Sequence, residues 1–282
     1  MSPATSQPIH SAVSLRGQGS PSSTSTSSRS RSPARPEHVS AQGGSTSARV
    51  IVDLHCHTNA SFDSLSNPLA VVRAAATRGI THLAITDHDR VDGAQRARDA
   101  RVPGITVLVG SEVRTREGDL IALFIEQPIT AGLPVREAIA AIREQGGLVG
   151  VPHPFDGWRS SLLADSADEE LLAHVDWIEG WNARLVAPGG NQRAAELAAA
   201  QGIPAVASSD AHTILEVGGA ATAMSGDLST PAGLRTALRG DREMIMGRGS
   251  LVARFITPVA KVVNAARNNR RIPAGSRFGE PR

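Results

Sequence analysis

The stretch Arg49-Val50-Ile51-Val52-Asp53-Leu54-His55-Cys56-His57-Thr58 decides how the chain is read. A short β-branched, apolar run gives way at once to two imidazoles in alternate positions. Side chains alternate between faces along a strand, so His55 and His57 share one face while Cys56 points the other way. Two imidazoles on one face can share a cation. From here onward, apolar runs typical of strands recur at 49–54, 82–85, 105–110, 120–125, 148–151, 175–179 and 205–208. Ala-rich stretches of helical pattern separate them. Asn67-Pro68 has the form of an N-cap with proline at the first helical position, opening a helix that stops at Gly79. Similar segments span 133–145, 190–201 and 231–238, and one more helix is expected around 259–267. Strand and helix alternating in this way predict an α/β domain with a parallel sheet, open or closed into a barrel.

Composition narrows the class. The chain has 282 residues, 40% hydrophobic and 20% charged, enough for one large globular domain. Aromatics are only 3% with no Tyr, which argues against a base-stacking surface for single-stranded nucleic acid. A single cysteine, Cys56, builds neither an internal disulfide nor a thiolate zinc cluster, so any metal must be held by His, Asp and Glu. That suits a reducing, cytoplasmic setting. The apolar runs fall far short of the roughly 18–20 residues of a membrane helix, so no membrane partner is expected.

Three regions are expected. Residues 1–48 form a Ser/Thr/Pro/Gly/Arg tract too poor in large apolar residues to offset the entropy of ordering, and read as a disordered tail. Residues 49–252 form the folded body, and 253–282 a basic carboxyl-terminal extension. The net charge of +2 hides a partition: the two ends carry +3 and +6, leaving −7 on the body. An acidic body with basic ends fits a domain whose carboxylates hold cations better than a nucleic-acid binder.

The chemistry is written at the strand ends, because in a parallel α/β protein the residues past each carboxyl end converge. After the first strand these are His55 and His57, after the second Thr86-Asp87-His88-Asp89, and after the third Gly110-Ser111-Glu112. The fifth ends at Pro152-His153-Pro154 and the seventh at Ser209-Asp210-Ala211-His212, while the sixth, at Trp181-Asn182, is neutral. Taken singly, each histidine has a structural explanation and each aspartate a capping one. Together, five strand ends would crowd anionic groups unless cations neutralised them. Imidazoles and carboxylates without thiolates suit zinc, manganese or iron.

These motifs, in this order and with Val151-Pro152-His153-Pro154-Phe155-Asp156 among them, resemble the PHP (polymerase and histidinol phosphatase) family of metal-dependent phosphoesterases, over about 50–240. The resemblance implies a distorted (β/α)7 barrel, in a short stand-alone form, with two or three divalent metal ions. It assigns His55, His57, Glu112 and Asp210 to a first metal, with Glu112 bridging to a second held by His153. It assigns Asp63, His88 and His212 to a third. Where the family usually has a histidine on the fourth strand, this chain offers Asp119, which would favour a harder ion such as manganese if it ligates. The alternative is that Asp119 is a turn residue after Gly118.

Metals sharing Glu112 would lower the pKa of a bridging water, and the resulting hydroxide would attack a phosphate ester whose oxygens the cations clamp. His88 or His212 could then protonate the leaving group if not fully committed to metal. Arg159 and Arg184 fall beside strand-end loops, where they could grip phosphate or simply face solvent. The acidic body favours a small phosphomonoester, such as a nucleotide or a sugar or amino-alcohol phosphate. The alternatives are a 5′-3′ exonuclease or phosphodiesterase acting on short oligonucleotides, and a non-catalytic metal-holding domain. Hydrolysis of a C–N bond is disfavoured, since 49–252 contains no Lys. His82, His174 and the three tryptophans read as packing residues.

Overall fold

Strands form where the apolar runs predict them. In the computed structural model β1 is Arg49–Asp53, β2 His82–Ile85, β3 Thr106–Arg114, β4 Asp119–Leu123, β5 Leu148–Val151, β6 Trp177–Asn182 and β7 Ala205–Ser208. Two further strands follow, β8 (Ala221–Ser225) and β9 (Arg242–Ile245). The structure describes residues 49–157, 161–163, 169–186 and 188–280. The tail expected at 1–48, together with Trp158 and Arg159, lies outside the described residues.

The strands make one sheet in the order β7-β6-β5-β4-β3-β2-β1-β8-β9. The exits of β7 and β1 meet at one mouth: Asp210 N donates to His55 O (2.9 Å) and His57 N to Ala211 O (2.8 Å). The exits of β1 and β7 are thereby joined, which closes a seven-stranded ring where the functional residues were expected. Below that point β1 turns to β8, pairing antiparallel from Arg49 opposite Ser225 to Val52 opposite Thr222. The expected α/β barrel is therefore present, and its distortion has identifiable causes.

One cause is the direction of β4, which runs antiparallel to both β3 and β5. The connection 115–118 is far too short for the crossover of a dozen or more residues that a parallel pair needs. A hairpin results, and β3 extends through Glu112 to Arg114, past the end expected at residue 110. Because β4 is reversed, its amino end, with Asp119 opposite Arg114, lies at the mouth where β3 and β5 have their carboxyl ends.

The helices are α1 (Pro68–Thr77), α2 (Asp92–Asp99), α3 (Val135–Glu144), α4 (Glu169–Leu172), α5 (Gly190–Ala200), α6 (Pro231–Arg239) and α7 (Leu251–Ala266). Asn67 caps α1 as its sequence predicts, accepting from Leu69 N and Ala70 N. The sequence reading does not anticipate α2, whose buried face is only Gly93, Ala94 and Ala97. With no large apolar residue, its helical period leaves little trace. The last helix starts eight residues before the expected 259, at a Ser250 cap whose side chain accepts from Ala253 N, and it continues through Pro258.

Burial separates two layers. One cluster joins helix residues such as Val71 and Ile142 to Leu83 and Val149 on the sheet. The other gathers Val52, Ala84, Leu108, Ile121, Leu148, Trp177 and Val206 from successive strands, filling the ring. Trp177 fits there because Gly150, its register partner, has no side chain: a Cβ at Gly150 would fall 2.1 Å from the indole. Among the described residues no helix is long and apolar enough to cross a membrane.

The segment after β9 returns to the barrel mouth. Asn264, buried on α7, donates to Ser61 O (3.2 Å) and Ser64 O (2.9 Å). Asn269 donates to the carbonyls of Asn59, Ala60 and Ser61. The loop that presents Phe62 and Asp63 is thus gripped from outside by the chain's basic end.

Candidate metal centre

The site begins at the exit of β1. Asp53 Oδ1 accepts from His55 N (3.3 Å) and from Ser209 N (3.0 Å), tying the ends of β1 and β7 together. Burial pushes the Asp53 carboxyl up to about 6, against the pull of these hydrogen bonds. Beyond it, His55 and His57 are fully buried, with their Nε2 atoms 2.9 Å apart.

Each ring is held through its other nitrogen. His55 Nδ1 lies 2.8 Å from Glu179 Oε1, a carboxylate that can only accept once ionised. His57 Nδ1 lies 3.1 Å from Ser61 Oγ, whose own proton goes to Asp87 Oδ1 at 2.9 Å. His212 Nδ1 lies 2.9 Å from the carbonyl of Asp210. All three imidazoles must donate at Nδ1, so in their neutral form each presents a bare lone pair at Nε2.

Two lone pairs facing each other at 2.9 Å repel unless positive charge lies between them. Glu112 Oε2 is 3.3 Å from both Nε2 atoms, and Asp210 Oδ1 is 3.5 and 3.4 Å from them. Ligands about 2.0–2.2 Å from a tetrahedral zinc-like ion would stand ~3.3 Å from one another. These four side chains therefore fit one divalent cation.

Glu112 also reaches outward. Its Oε1 lies 3.1 Å from His153 Nε2, and its Oε2 3.1 Å from His88 Nδ1. Asp63 Oδ2 lies 3.4 Å from His88 Nε2 and 3.6 Å from His212 Nε2. Asp119 lines the same cleft, and its carboxyl is pushed up to about 6 by burial and by the nearby charge of Glu112. Asp63 Oδ1, Asp119 Oδ1 and His153 Nδ1 are buried with no hydrogen-bond partner among the described residues. Buried polar atoms are rarely left so, and each is of a type that ligates divalent metals. All nine side chains proposed from the sequence thus gather at one mouth. Two residues of the cluster, His153 and Asp210, also hold φ values of +27° and +52° that non-glycine residues seldom adopt.

Without a cation, protons take its place. Burial opposes charge on His88, but Glu112 and Asp63 outweigh it and push the imidazole up to about 10. The same carboxylates, opposed by burial, are drawn well below the ordinary range by the histidines around them. His212 goes the other way: burial, with Arg184 and His57 beside it, pushes it down to about 3.

The sequence reading finds the end of the sixth strand, at Trp181-Asn182, neutral, and passes over the carboxylate within the strand. Glu179, within β6 and fully buried, orients His55, accepts from His153 N (2.9 Å) and accepts from Asn182 Nδ2 (2.8 Å). Asn182 also donates to Asp210 Oδ2 at 3.1 Å. The available signal is a carboxylate between Trp177-Ile178 and Gly180-Trp181. Arg184 lines the cleft, with Nε 3.4 Å from Glu216 Oε1 and Nη2 donating to Thr257 Oγ1 at 3.0 Å. The cleft itself is about 520 Å³, and Arg254, Lys261 and Arg271 line it as well. Trp177 is a core residue, and Trp181 is fixed by an Nε1 bond to Gly247 O.

A closed α/β ring with imidazoles and carboxylates converging at one mouth defines a metal-dependent barrel hydrolase. Comparison with known proteins makes the class specific. A profile described as "PHP domain" matches residues 53–169, and one described as "PHP-associated" matches 188–242. An uncharacterized protein of Methanocaldococcus jannaschii is 34% identical over 142 residues, 46% of this chain and 81% of the relative. A 5′-3′ exoribonuclease of Haemophilus influenzae is 30% identical over 135 residues, and there the match spans only 47% of the relative. Among solved structures, a Bacteroides vulgatus protein described as "a two-domain protein containing predicted PHP-like metal-dependent phosphoesterase" superposes with a TM-score of 0.58 at 21% identity. That match covers 71% of this chain and 66% of the other. The chain belongs to the PHP family of metal-dependent phosphoesterases.

Proposed function

We propose that this protein hydrolyses the phosphate ester of a small phosphorylated substrate, with two or three divalent ions of manganese, zinc or iron held at the barrel mouth. The observation that carries the reading is the pair of Nε2 atoms of His55 and His57, 2.9 Å apart and each fixed as a lone-pair donor by its own Nδ1 hydrogen bond. His55, His57, Glu112 and Asp210 would hold one ion; Glu112, His153 and Asp119 a second; Asp63, His88 and His212 a third. Bound there, such ions supply Lewis acidity to phosphoryl oxygens and a nucleophilic water at neutral pH.

The chain's own residues do the rest. Glu179, Ser61 and the Asp210 carbonyl hold three imidazoles in the tautomer that leaves Nε2 free. His88 and His212 both face Asp63, so they serve as ligands in this reading and not as proton donors to the leaving group. Arg184 presents its guanidinium to the cleft for a phosphoryl oxygen.

A second reading, trimming of short oligonucleotides from the 5′ end, is favoured by one observation. The acidic body argues for a small substrate only while the basic ends are left aside, yet Arg254, Lys261 and Arg271 line the cleft. The named activity of the Haemophilus relative points the same way. Purified protein supplied with manganese is expected to bind two or three ions and to release phosphate from part of a panel of nucleotides and sugar phosphates. A labelled short oligonucleotide in the same panel distinguishes the readings. His57→Ala and Asp210→Asn should lose turnover while remaining folded; full turnover in both folded variants would overturn the proposal.

A further inference from the structure

The cleft has a second chemical character that its metal-facing side chains do not explain. Arg254 and Lys261 come from α7 and Arg271 from the chain just beyond it. All three lie outside the two segments that match the family profiles, 53–169 and 188–242. Their charges are poorly answered by protein. Among the described residues Arg271 has one ion-pair partner, Asp119, 4.0 Å from its Nη2. Lys261 has no ion-pair partner among the described residues, and its Nζ stands 5.5 Å from the ring centre of Phe62. The Arg271 guanidinium stands over the same ring at 5.5 Å. Arg254 Nη2 donates to Arg184 O at 3.1 Å, while its Nε is buried with no hydrogen-bond partner among the described residues. Arg271 Nε is likewise buried and unpartnered.

Buried guanidinium donors without acceptors cost stability unless something else satisfies them. Phe62 holds two of the three cations by attraction to its ring face, which fixes them without neutralising them. Phe62 also lies against His88, their ring centres 5.1 Å apart, so the cations stand close to the expected ester site. The hydrogen bonds of Asn264 and Asn269 to 59–64 lock this arrangement onto the barrel.

We infer that Arg254, Lys261 and Arg271 form a subsite for a second phosphoryl group of the substrate, one that is bound but not cleaved. The inference rests on the phosphoesterase reading and deepens it: the preferred substrate carries two phosphates, one at the imidazole–carboxylate centre and one against the cations on Phe62. A guanidinium offers paired donors that match phosphate oxygens, and an ammonium adds a point charge. A sugar bisphosphate and a 5′-phosphorylated dinucleotide share this chemistry.

The test uses the full chain and three variants, Arg254→Gln, Lys261→Gln and Arg271→Gln. KM is measured for a 5′-mononucleotide, a 5′-phosphorylated dinucleotide, a sugar monophosphate and a sugar bisphosphate. Wild-type protein should favour at least one two-phosphate substrate over its one-phosphate counterpart. Each variant should raise KM for that substrate roughly 10- to 100-fold, as expected for a lost charge-assisted bond, with the count of bound metal unchanged. Preference for the dinucleotide alone identifies a nucleic-acid end, and preference for both identifies the phosphate itself. A preference ratio equal in wild type and all variants overturns the inference. Lys261 is exposed, so Lys261→Gln reports on the site even if an arginine variant fails to fold.

A separate arm follows binding of the labelled dinucleotide to metal-depleted protein in chelator. Salt-sensitive binding there should weaken in every folded variant. This arm stands even if no ester is turned over, a result that would overturn the phosphoesterase reading alone. Equal binding by wild type and variants would overturn the subsite.

Discussion

Glu179 and His55, 124 residues apart in sequence, are joined by a 2.8 Å hydrogen bond between Oε1 and Nδ1, both fully buried. The bond decides which nitrogen of His55 faces the cluster. Glu179→Gln keeps the shape but removes the charge that fixes the donor at Nδ1. Such outer partners of metal-binding histidines are typically worth 10- to 100-fold in affinity, so the variant is expected to bind its ion roughly 10- to 100-fold more weakly. Competition with a chelator measures this. Wild-type affinity in the variant would show that Glu179 serves only to support the fold.

Metal loading should release protons. In the metal-free protein His88 sits at about 10, against an ordinary value of 6.5, and His55 is also raised despite its burial, by Asp210, Glu179 and Glu112. Ligation requires neutral imidazole, so loading at neutral pH displaces these protons and affinity rises with pH. The raised histidines stabilise the metal-free fold fully below 6.5, and that contribution fades as pH climbs through about 10. Asp63 and Glu112, held low, add stability above their ordinary values of 3.8 and 4.5 that is lost in acid. Thermal melting in chelator should therefore decline from neutral pH toward 10 more steeply than melting of loaded protein. Calorimetry in buffers of different ionisation heat counts the protons.

Asn264 bonds two carbonyls of the loop carrying Asp63 while itself buried. Asn264→Leu keeps a similar size, removes both donors and adds no charge. The expected loss is ~1–3 kcal/mol of stability, the usual cost of leaving buried groups unsatisfied. Denaturant melts measure it. The same variant should weaken the ion expected at Asp63, His88 and His212 before those at the other ligands, which stepwise metal titration would reveal.

Gly150→Ala tests the packing inside the ring. The added methyl would lie 2.1 Å from the Trp177 ring, between paired strands that cannot separate freely. Overpacking of this kind costs ~1–3 kcal/mol, and here the cost should reach the upper part of that range. A midpoint unchanged in denaturant would mean that the indole has room to turn.

Much of the centre is legible because the side chains proposed as ligands sit next to strand ends, where a local pattern marks them. His55, His57, His88, Glu112, His153, Asp210 and His212 all follow an apolar run by one or a few residues. Asp63 and Asp119 needed the family resemblance, since neither follows a strand directly. Glu179 escaped because it lies inside its strand, and only the ring's closure brings it beneath His55. The strands β8 and β9 escaped because Ala-Thr-Ala-Met-Ser and Arg-Glu-Met-Ile carry little of the β-branched, alternating pattern that marks the others.

The chain's own order of residues determined the α/β alternation, the helix cap at Asn67 and the types of side chain available to a cation, because these depend on neighbours within a few positions. Tertiary structure decided the reversal of β4 that carries Asp119 to the mouth, and the tautomers of the histidines. It also decided the return of α7, which changes the charge of the cleft. Net charge counted along a chain is blind to folding, whereas an electrostatic site depends on distance in space: Lys261 and Arg271 belong to a basic end in sequence and to the cleft in three dimensions.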